Sequence, residues 1–429
     1  MLHREMNGIY LTTKVIKDNP DYIKILADEI GLNLAIISFD GQLPQNVLSK
    51  SPFDEVPLSD TCLESLITKH MDGGLVDPLE FDRVRESVGP SVGTGGDDAI
   101  FRECIETAQQ AGCDVWICGG CWTLRRLMFC PSNASTNDWY ASVYGYWASN
   151  YGVQGLDITH TRYPMGSFPR GLFSCTCENC AKEATSLGYD MNKMLNSVKS
   201  AHKRLRTVDI ALLSEVARKG IGPLDILQIL GMDLGILDWF RFRTDLLSKK
   251  LKCIRKSVHE ANPGVLFGMD TYPASLSLFM GHNHAEWGNF ADFASPLVSH
   301  IYQFVSLTLI EWAKFLQRYH PKLEERDALQ IVYALTGYDG IGMPESFAAY
   351  NPDDPVALAH SVPLEEVILH DLRKARLSLP EDIPSYPIIH GTGWPKPAID
   401  AICEGAKKLG HNGIIWQGTD ELVDYRLES

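Results

Sequence analysis

Eight segments of the chain share one pattern, in which apolar residues that favour β-structure are followed by polar residues or glycine. The pattern is clearest in residues 152–164, where Val153 and Leu156 lie near the start and His160 and Arg162 lie near the end. Proline at position 164 ends this segment, because it has no N–H to donate to a neighbouring strand. We predict strands at residues 8–12, 34–41, 113–122, 152–164, 263–273, 293–302, 386–395 and 412–420.

The segments between these strands carry apolar residues at helical spacing. Tyr22, Ile25 and Leu26 predict a helix that begins near Asn19 and ends at Gly31. Residues 329–334 are apolar enough for a ninth strand, but they continue the amphipathic pattern before them and are therefore assigned to a helix. Other helical segments are predicted near 81–88, over 98–111, around 223–260, through most of 306–376 and over 398–409.

Strands that are apolar first and polar last, with helices between them, are typical of an α/β fold, the (β/α)8 TIM barrel. In that fold the polar ends of the strands surround one mouth, where the active site lies. We therefore expect a single TIM-barrel catalytic domain over residues 1–429. Insertions at about 42–95 and 165–262 are expected to form the walls of its site.

Composition narrows the choice of partner and location. The formal net charge of −15 argues against nucleic acid or an anionic membrane surface as the main partner. No apolar run approaches the roughly 20 residues of a membrane span, and the first residues lack the apolar core of a signal peptide. Eleven cysteines scattered through a long chain favour reduced thiols over a disulfide framework. We expect a cytoplasmic protein.

Aspartates and aromatic residues gather at the predicted strand ends. The apolar C–H faces of sugar rings lie well on Trp and Tyr, and cleavage of a glycosidic bond needs one protonated and one ionised carboxyl group. These residue types therefore point to a saccharide or glycoside as the substrate. The aspartates are Asp40, Asp157, Asp270 and Asp420, and the aromatic residues are Trp122, Tyr163, Tyr272, Tyr302, Trp394 and Trp416.

Asp157 and Asp270 are the leading catalytic pair, because they lie on strands that are neighbours in a barrel. A single Asp after a strand is commonly a helix cap or a turn residue, and Asp40 and Asp420 fit that description. Asp157 fits it poorly, because its strand is expected to continue to Thr161. Asp420 and Glu421 are kept as reserves, and Asp40 as a hydroxyl-binding group.

The remaining polar and aromatic residues at the strand ends are candidates for substrate binding. His160 and Arg162 either face the site or support Asp157 as structural partners, because a buried carboxylate needs a hydrogen bond or a charge. Trp116 is predicted to belong to the core. The substrate-binding candidates are Asp40, Trp122, His160, Arg162, Tyr163, Tyr272, His300, Tyr302, Trp394 and Trp416.

Three cysteines follow the fourth strand with the spacing Cys175-x-Cys177-x2-Cys180. This spacing suits thiolate ligands of a soft metal, and it predicts a structural zinc rather than a catalytic cofactor. Cys118, Cys121 and Cys130 are candidates for the fourth ligand. The alternative is three unrelated reduced thiols in a loop.

The order of these segments resembles a group of glycoside-hydrolase-like TIM-barrel proteins. The resemblance rests on the 31–33 Gly-Leu-Asn strand start, on the Arg162-Tyr163-Pro motif of the fourth strand and on the three cysteines after it. It covers most of the chain and implies the same fold and hydrolase activity. There is one departure: three residues before the arginine the family has Asp, whereas this chain has Thr159, and the carboxylate is Asp157. The family's catalytic assignment therefore does not carry over.

The resulting hypothesis is a glycoside hydrolase that acts by carboxylate acid/base chemistry and requires no cofactor for catalysis. Two alternatives remain open. In one, His160, His300 and His390 bind a divalent metal together with Asp157, as in a metal-dependent isomerase or lyase. In the other, the barrel binds carbohydrate without cleaving it, which the departure at Thr159 makes reasonable.

Overall fold

Eight parallel strands form one sheet in which the first strand pairs with the last. Bridges from Ala294 to Ser385 and from Leu297 to Ile388 join the sixth strand to the segment of the seventh, so the sheet closes into a barrel. The predicted (β/α)8 TIM-barrel fold is confirmed. The strands are β1 (Met6–Leu11), β2 (Leu34–Ser38), β3 (Asp114–Gly120), β4 (Gly155–Thr159), β5 (Leu266–Thr271), β6 (Phe293–Pro296), β7 (Ile388–His390) and β8 (Gly413–Gln417).

The structure is a computed structural model. It describes residues 5–51, 96–124, 127–163, 172, 175–220, 222–229, 231, 233–350, 361–391 and 393–418. For residues 123, 124, 127, 128, 223, 302 and 303 it describes the backbone alone. The helix predicted near 81–88, Pro164, Asp420 and Glu421 lie outside the described residues.

Helices connect the strands on the outside of the barrel. They are α1 (Thr13–Asp18), α2 (Tyr22–Ile30), α3 (Gln45–Leu48), α4 (Asp98–Gln110), α5 (Ala134–Asn150), α6 (Glu178–Ser186), α7 (Met191–Thr207), α8 (Ile210–Lys219), α9 (Pro223–Ile229), α10 (Gly235–Ala261), α11 (Leu307–Tyr319), α12 (Glu325–Thr336), α13 (Leu364–Ser378) and α14 (Lys396–Lys408). Residues 329–334 lie in α12, as predicted. No helix in the described part of the chain is both long enough and apolar enough to cross a membrane.

Helix ends follow from local sequence. Gly31 ends α2 with φ 66°, a left-handed conformation that glycine adopts at little cost. The Asp97 side chain accepts hydrogen bonds from the first backbone amides of α4, and Asn133 caps α5 in the same way. These caps fix where the chain leaves one strand and turns back towards the next.

The lower half of the barrel is filled by large aromatic side chains. Trp116 from β3 is buried and stacks on Phe293 from β6, with 4.2 Å between ring centroids. Glycines on the intervening strands make room for these rings. A Cβ atom at Gly155 would lie 2.6 Å from Trp116, and one at Gly268 would lie 2.5 Å from Phe293. The prediction that Trp116 belongs to the core is confirmed.

The upper half of the barrel interior is polar. Residues that face inward alternate along each strand, so Asp157 lies two positions above Gly155, and Asp270 lies two above Gly268. The register pairs Asp157 with Gly268 and Asp270 with Ser295, which places Asp270 one layer nearer the mouth than Asp157. The two carboxyl groups therefore occupy successive layers on neighbouring strands.

All eight strands end earlier than predicted, and the early ends of β4 and β6 change the shape of the mouth. β4 ends at Thr159 rather than continuing to Thr161, because His160 has φ 62° and leaves the extended conformation that the ladder requires. β6 ends at Pro296, and the chain turns into a π-helical segment, Tyr302–Ser306, where a strand was expected to 302. Both changes bring additional side chains to the mouth.

Candidate active site and cysteine cluster

Asp157 lies deep in the barrel, with 1% of its surface exposed. Tyr10, from the nearly opposite strand β1, donates a hydrogen bond to its Oδ2. Its Oδ1 is buried and has no hydrogen-bond partner among the described residues. Burial raises the pKa of Asp157 to about 7, with a further contribution from the charge of Asp270, while the Tyr10 hydrogen bond acts in the opposite direction.

Asp270 lies one layer higher and has 4% of its surface exposed. Thr159 donates a hydrogen bond of 3.0 Å to its Oδ2, and Oδ1 has no hydrogen-bond partner within the described part of the chain. Burial raises the pKa of Asp270, but the charge of Arg162 and the Thr159 hydrogen bond oppose that rise. Thr159, the departure from the resembling family, thus serves as a donor to the neighbouring strand's carboxylate.

Arg162 supplies a buried positive charge beside this pair. Its guanidinium carbon lies 4.8 Å from the ring centroid of Tyr272 and 5.0 Å from that of Phe304. Both distances fall in the range of cation–π contacts. Because the charge of Arg162 favours the ionised form of Asp270, the two carboxyl groups sit in electrostatically different surroundings.

Histidine rings line the same end of the barrel. Burial lowers the pKa of His160 to about 3, with the charges of Arg162 and His300 acting in the same direction. Burial also lowers the pKa of His300 to about 4, helped by His390 and Arg162. Both rings are therefore neutral near pH 7. The ring centroids of His300 and His390 are 5.6 Å apart, and Trp394 lies 5.8 Å from His390.

The metal-dependent alternative finds little geometric support in this arrangement. Within the described residues, the only group of three or more histidine, cysteine or carboxylate side chains whose ligand atoms converge consists of four cysteines. His160, His300, His390 and Asp157 do not form such a group there.

Two predicted aromatic residues lie away from the mouth. Trp122 is fully buried in the layer between barrel and helices, where its indole N–H donates to Asn137 at 2.9 Å. Trp416 faces outward, because its neighbour Ile415 fills the barrel interior, and its indole N–H donates to Asn7 at 2.7 Å. Neither side chain is presented to a ligand above Asp157.

Other candidates are divided between the mouth and its surroundings. Tyr272 is buried beneath Arg162, whereas Tyr163 is buried under the guanidinium of Arg243, which lies 3.9 Å from its ring centroid. Asp40 is exposed after β2 and accepts a hydrogen bond of 2.6 Å from Thr13 in α1, so it ties two connections together. The side chain of Tyr302 lies outside the described part of the structure.

Sequence reasoning missed several side chains at the mouth. Tyr10 lies at the end of a predicted strand, so the rule that selected Tyr272 would have selected it as well. Ser299 and Gln417 contact each other at 2.5 Å, and no sequence signal pairs them because they lie on different strand ends. Phe304 was missed because the chain turns there into an irregular helix.

Four cysteines from the β3 and β4 connections lie together, and we call them the cysteine cluster. Cys130 joins Cys175, Cys177 and Cys180, and their four sulfur atoms lie within 4.8 Å of one another. Cys130 Sγ is 3.5 Å from Cys177 Sγ and 3.4 Å from Cys180 Sγ, and Cys177 and Cys180 are 3.8 Å apart. A tetrahedron with Zn–S bonds of about 2.3 Å has edges of about 3.8 Å, so the four sulfurs fit zinc.

Comparisons with known proteins give similar structures at very low sequence identity. The β-galactosidase of the haloarchaeon Halorubrum lacusprofundi is 13% identical, with a TM-score of 0.47 over 96% of this chain and 52% of that one. The β-galactosidase of Rahnella sp. R3 is 13% identical, with a TM-score of 0.39 over 95% and 56%. The Bacillus cereus spore cortex-lytic enzyme SleL is 9% identical, with a TM-score of 0.37 over 97% and 71%.

The chain spans about half the length of the two β-galactosidases, 52% and 56%. Neither a protein-family model nor a curated protein sequence matches it.

Proposed function

We propose that the barrel mouth binds a saccharide or glycoside and cleaves a glycosidic bond with Asp157 and Asp270, which we call the carboxyl pair. The proposal rests on the different electrostatic surroundings of the two carboxyl groups. Asp157 is buried away from positive charge with a pKa of about 7, whereas Asp270 lies beside Arg162. Glycosidic cleavage requires this division, with one carboxyl group protonated and the other ionised.

In this mechanism Asp157 is the general acid and Asp270 is the ionised partner. Protonated Asp157 donates its proton to the leaving oxygen, and Tyr10 holds the carboxyl group in place through Oδ2. Ionised Asp270 acts as nucleophile or as base towards water, with Thr159 fixing one of its oxygens. The unpartnered Oδ1 atoms of both groups are the positions available for this chemistry.

The polar and aromatic side chains around the pair would bind the sugar. His160, His300, His390 and Trp394 lie at the strand ends, and the first three are partly exposed. The neutral imidazoles of His160 and His300 can exchange hydrogen bonds with hydroxyl groups without a charge to desolvate. Trp394 supplies an apolar ring beside His390.

The test is turnover of a panel of aryl glycosides by the wild type, Asp157→Asn and Asp270→Asn. Both changes keep the shape of the side chain but remove its proton chemistry, so each is expected to lower kcat/KM by about a hundredfold or more. Asp114→Asn is the control, because Asp114 begins β3 at the opposite end of the barrel. Equal activity in all four proteins would contradict the proposal.

A second candidate function is carbohydrate binding without cleavage. The low exposure of both carboxyl groups, 1% and 4%, favours it. In that case no glycoside is cleaved, yet a sugar raises the melting temperature of the protein. Asp157→Asn then leaves the sugar-induced rise unchanged, because a deep carboxyl group that performs no chemistry contributes little to binding.

We also propose that the cysteine cluster binds a structural zinc ion. The support is the convergence of four sulfur atoms from two different connections, three of them on largely buried residues. Zinc there would tie the β3 connection to the start of α6. The cytoplasmic location expected from the cysteine distribution stays a prediction.

Metal content and thermal stability test the zinc proposal. We expect about one zinc per chain, release of that zinc by Cys180→Ser, and a melting temperature lowered by both Cys180→Ser and a strong chelator. Cys104→Ser is the matched control, since Cys104 is a buried thiol in α4 outside the cluster. Zinc-free protein that melts at the same temperature with and without chelator would refute this role.

A further inference from the structure

Three side chains form a hydrogen-bonded chain between two strand ends at the mouth. Ser299, just beyond β6, is buried. Its hydroxyl oxygen lies 2.9 Å from Nδ1 of His300 and 2.5 Å from Oε1 of Gln417, the last residue of β8. The chain thus joins two connections that are separated by more than a hundred residues.

A count of protons determines the direction of these hydrogen bonds. The Ser299 hydroxyl has one proton, and Oε1 of Gln417 can only accept, so the serine donates to Gln417. The contact with His300 then requires Nδ1 to carry a proton that it donates to the serine oxygen. A neutral imidazole has only one N–H, and burial keeps the pKa of His300 near 4. Its Nε2 is therefore unprotonated and acts as an acceptor.

The position of the His300 ring is fixed by its neighbours. It stacks on Phe304 at 5.5 Å with an interplanar angle of 24°, and it lies 5.6 Å from His390. The residue remains partly exposed at the mouth. A ring held on one face by an aromatic side chain and at Nδ1 by a buried serine has little freedom to exchange its two nitrogens.

We infer that Ser299 and Gln417 hold His300 in the Nδ1–H form, so that Nε2 selects a ligand hydroxyl group that donates a hydrogen bond. The role of Nε2 in binding rests on the proposed function, whereas the protonation pattern does not. A saccharide hydroxyl meets this requirement, and a deoxy or O-methylated position does not. Ser299 and Gln417 are positioning residues in this arrangement, and His300 determines specificity.

The protonation pattern is tested with protein labelled with ¹⁵N at histidine, by long-range ¹H–¹⁵N correlation at pH 7. His300→Gln identifies the His300 signals. We expect Nδ1–H in the wild type and in Gln417→Glu, which keeps an acceptor for Ser299. In Gln417→Leu the serine hydroxyl is free to donate to Nδ1 instead, so the ring proton is expected to move to Nε2.

Ser306→Ala is the matched control for disturbance of the β6 connection. Ser306 is buried in the same segment, and its hydroxyl has no hydrogen-bond partner among the described residues. This variant is expected to leave the His300 signals unchanged. An Nε2–H signal in the wild type, or the same pattern in Gln417→Leu as in the wild type, would overturn the inference.

Binding is tested separately by titrating these proteins with the methyl glycosides of glucose, galactose and mannose. A glycoside that binds is expected to shift the His300 Nε2 signal and to bind Gln417→Leu about tenfold more weakly than Gln417→Glu, a difference of about 1.4 kcal/mol. Equal affinities would remove His300 from substrate selection. If no glycoside binds but Gln417→Leu still moves the ring proton of His300 to Nε2, the inferred Nδ1–H form of the wild type is supported. The proposed glycoside-binding function is then contradicted.

Discussion

Buried carboxyl groups occur both at the barrel mouth and in the helix layer, but they differ in the number of hydrogen bonds that their oxygens accept. In the helix layer, Asp371 of α13 is as buried as Asp157, and both of its oxygens are paired. Oδ1 accepts a hydrogen bond of 2.8 Å from the backbone N–H of Ser275, and Oδ2 accepts one of 2.7 Å from the Tyr338 hydroxyl. At the mouth, Asp157 and Asp270 each have one oxygen without a partner among the described residues.

This difference separates a structural carboxylate from a candidate for chemistry. A fully paired buried carboxylate stabilises the fold, because its partners would lose hydrogen bonds without it. A half-paired one destabilises its ionised form, and such groups concentrate at functional sites. Burial alone therefore does not mark a carboxyl group as a candidate for chemistry, whereas a buried carboxylate oxygen without a donor among the described residues does.

The largest expected effect is a dependence of stability on pH that arises from Asp157. The pKa of Asp157 is about 7 in the folded protein, against 3.8 as the ordinary value. Below about pH 4 the carboxyl group is protonated in both the folded and the unfolded protein and does not affect stability. As the pH rises towards 7 it ionises more readily in the unfolded protein, so the folded protein loses stability. Between pH 5 and 7 the loss from this group is expected to be about 2 kcal/mol, at about 1.4 kcal/mol per unit.

Urea unfolding of the wild type, Asp157→Asn and Asp371→Asn at pH 5, 6 and 7 measures this dependence. Asp157→Asn should flatten it, because this variant has no carboxyl group to titrate at that position. Asp270 contributes in the same direction as Asp157, because its pKa is also raised, so Asp157→Asn is not expected to abolish the slope entirely. If the slope of the free energy of unfolding against pH is unchanged in Asp157→Asn, a group other than Asp157 causes the dependence.

A smaller effect is expected on stability at pH 7. Asp371→Asn turns an amide donor towards the Ser275 N–H or the Tyr338 hydroxyl, and it should cost about 1.5 kcal/mol. Asp157→Asn keeps an acceptor for Tyr10 and removes a buried charge, so its free energy of unfolding should equal or exceed that of the wild type. If Asp157→Asn is the less stable of the two variants, the contrast between the regions is wrong.

The smallest expected effect is a difference in the pH dependence of turnover between Tyr10→Phe and Tyr338→Phe, which each remove a hydrogen bond to one of these carboxyl groups. Tyr338→Phe should cost about 1 kcal/mol of stability and leave the pH dependence of turnover unchanged. Tyr10→Phe removes a hydrogen bond that lowers the pKa of Asp157, so that pKa should rise further. In the proposed mechanism Asp157 acts when protonated, so the alkaline limb of kcat/KM should move to higher pH, by up to about one unit. If the alkaline limb of kcat/KM also moved in Tyr338→Phe, the limb would reflect loss of folded protein rather than ionisation of Asp157.

Local pattern was sufficient to predict the strands, their order and the mouth, because each strand changes from apolar to polar along its length. It failed where one residue departs from extended geometry, as His160 does with φ 62°. Strand alternation alone also shows that Trp416 and Ile415 face opposite sides, a constraint that the aromatic interpretation of Trp416 overlooked.

Contacts across the barrel could not be predicted in the same way. Tyr10 reaches Asp157 only because the sheet closes and brings β1 and β4 to face each other across the interior. Spacing predicted three of the clustered cysteines, but the choice of Cys130 over Cys118 and Cys121 depends on how two connections pack. Such pairings are properties of the closed barrel rather than of any segment.

The stacked pair of Trp116 and Phe293 determines how a ligand can enter and leave the barrel. These rings fill the barrel below Asp157, so a molecule that reaches the carboxyl pair cannot pass through. A molecule bound there must leave through the same opening by which it entered. In the proposed hydrolysis a product that is slow to leave would therefore delay binding of the next substrate, and the delay would depend on the side chains at the rim.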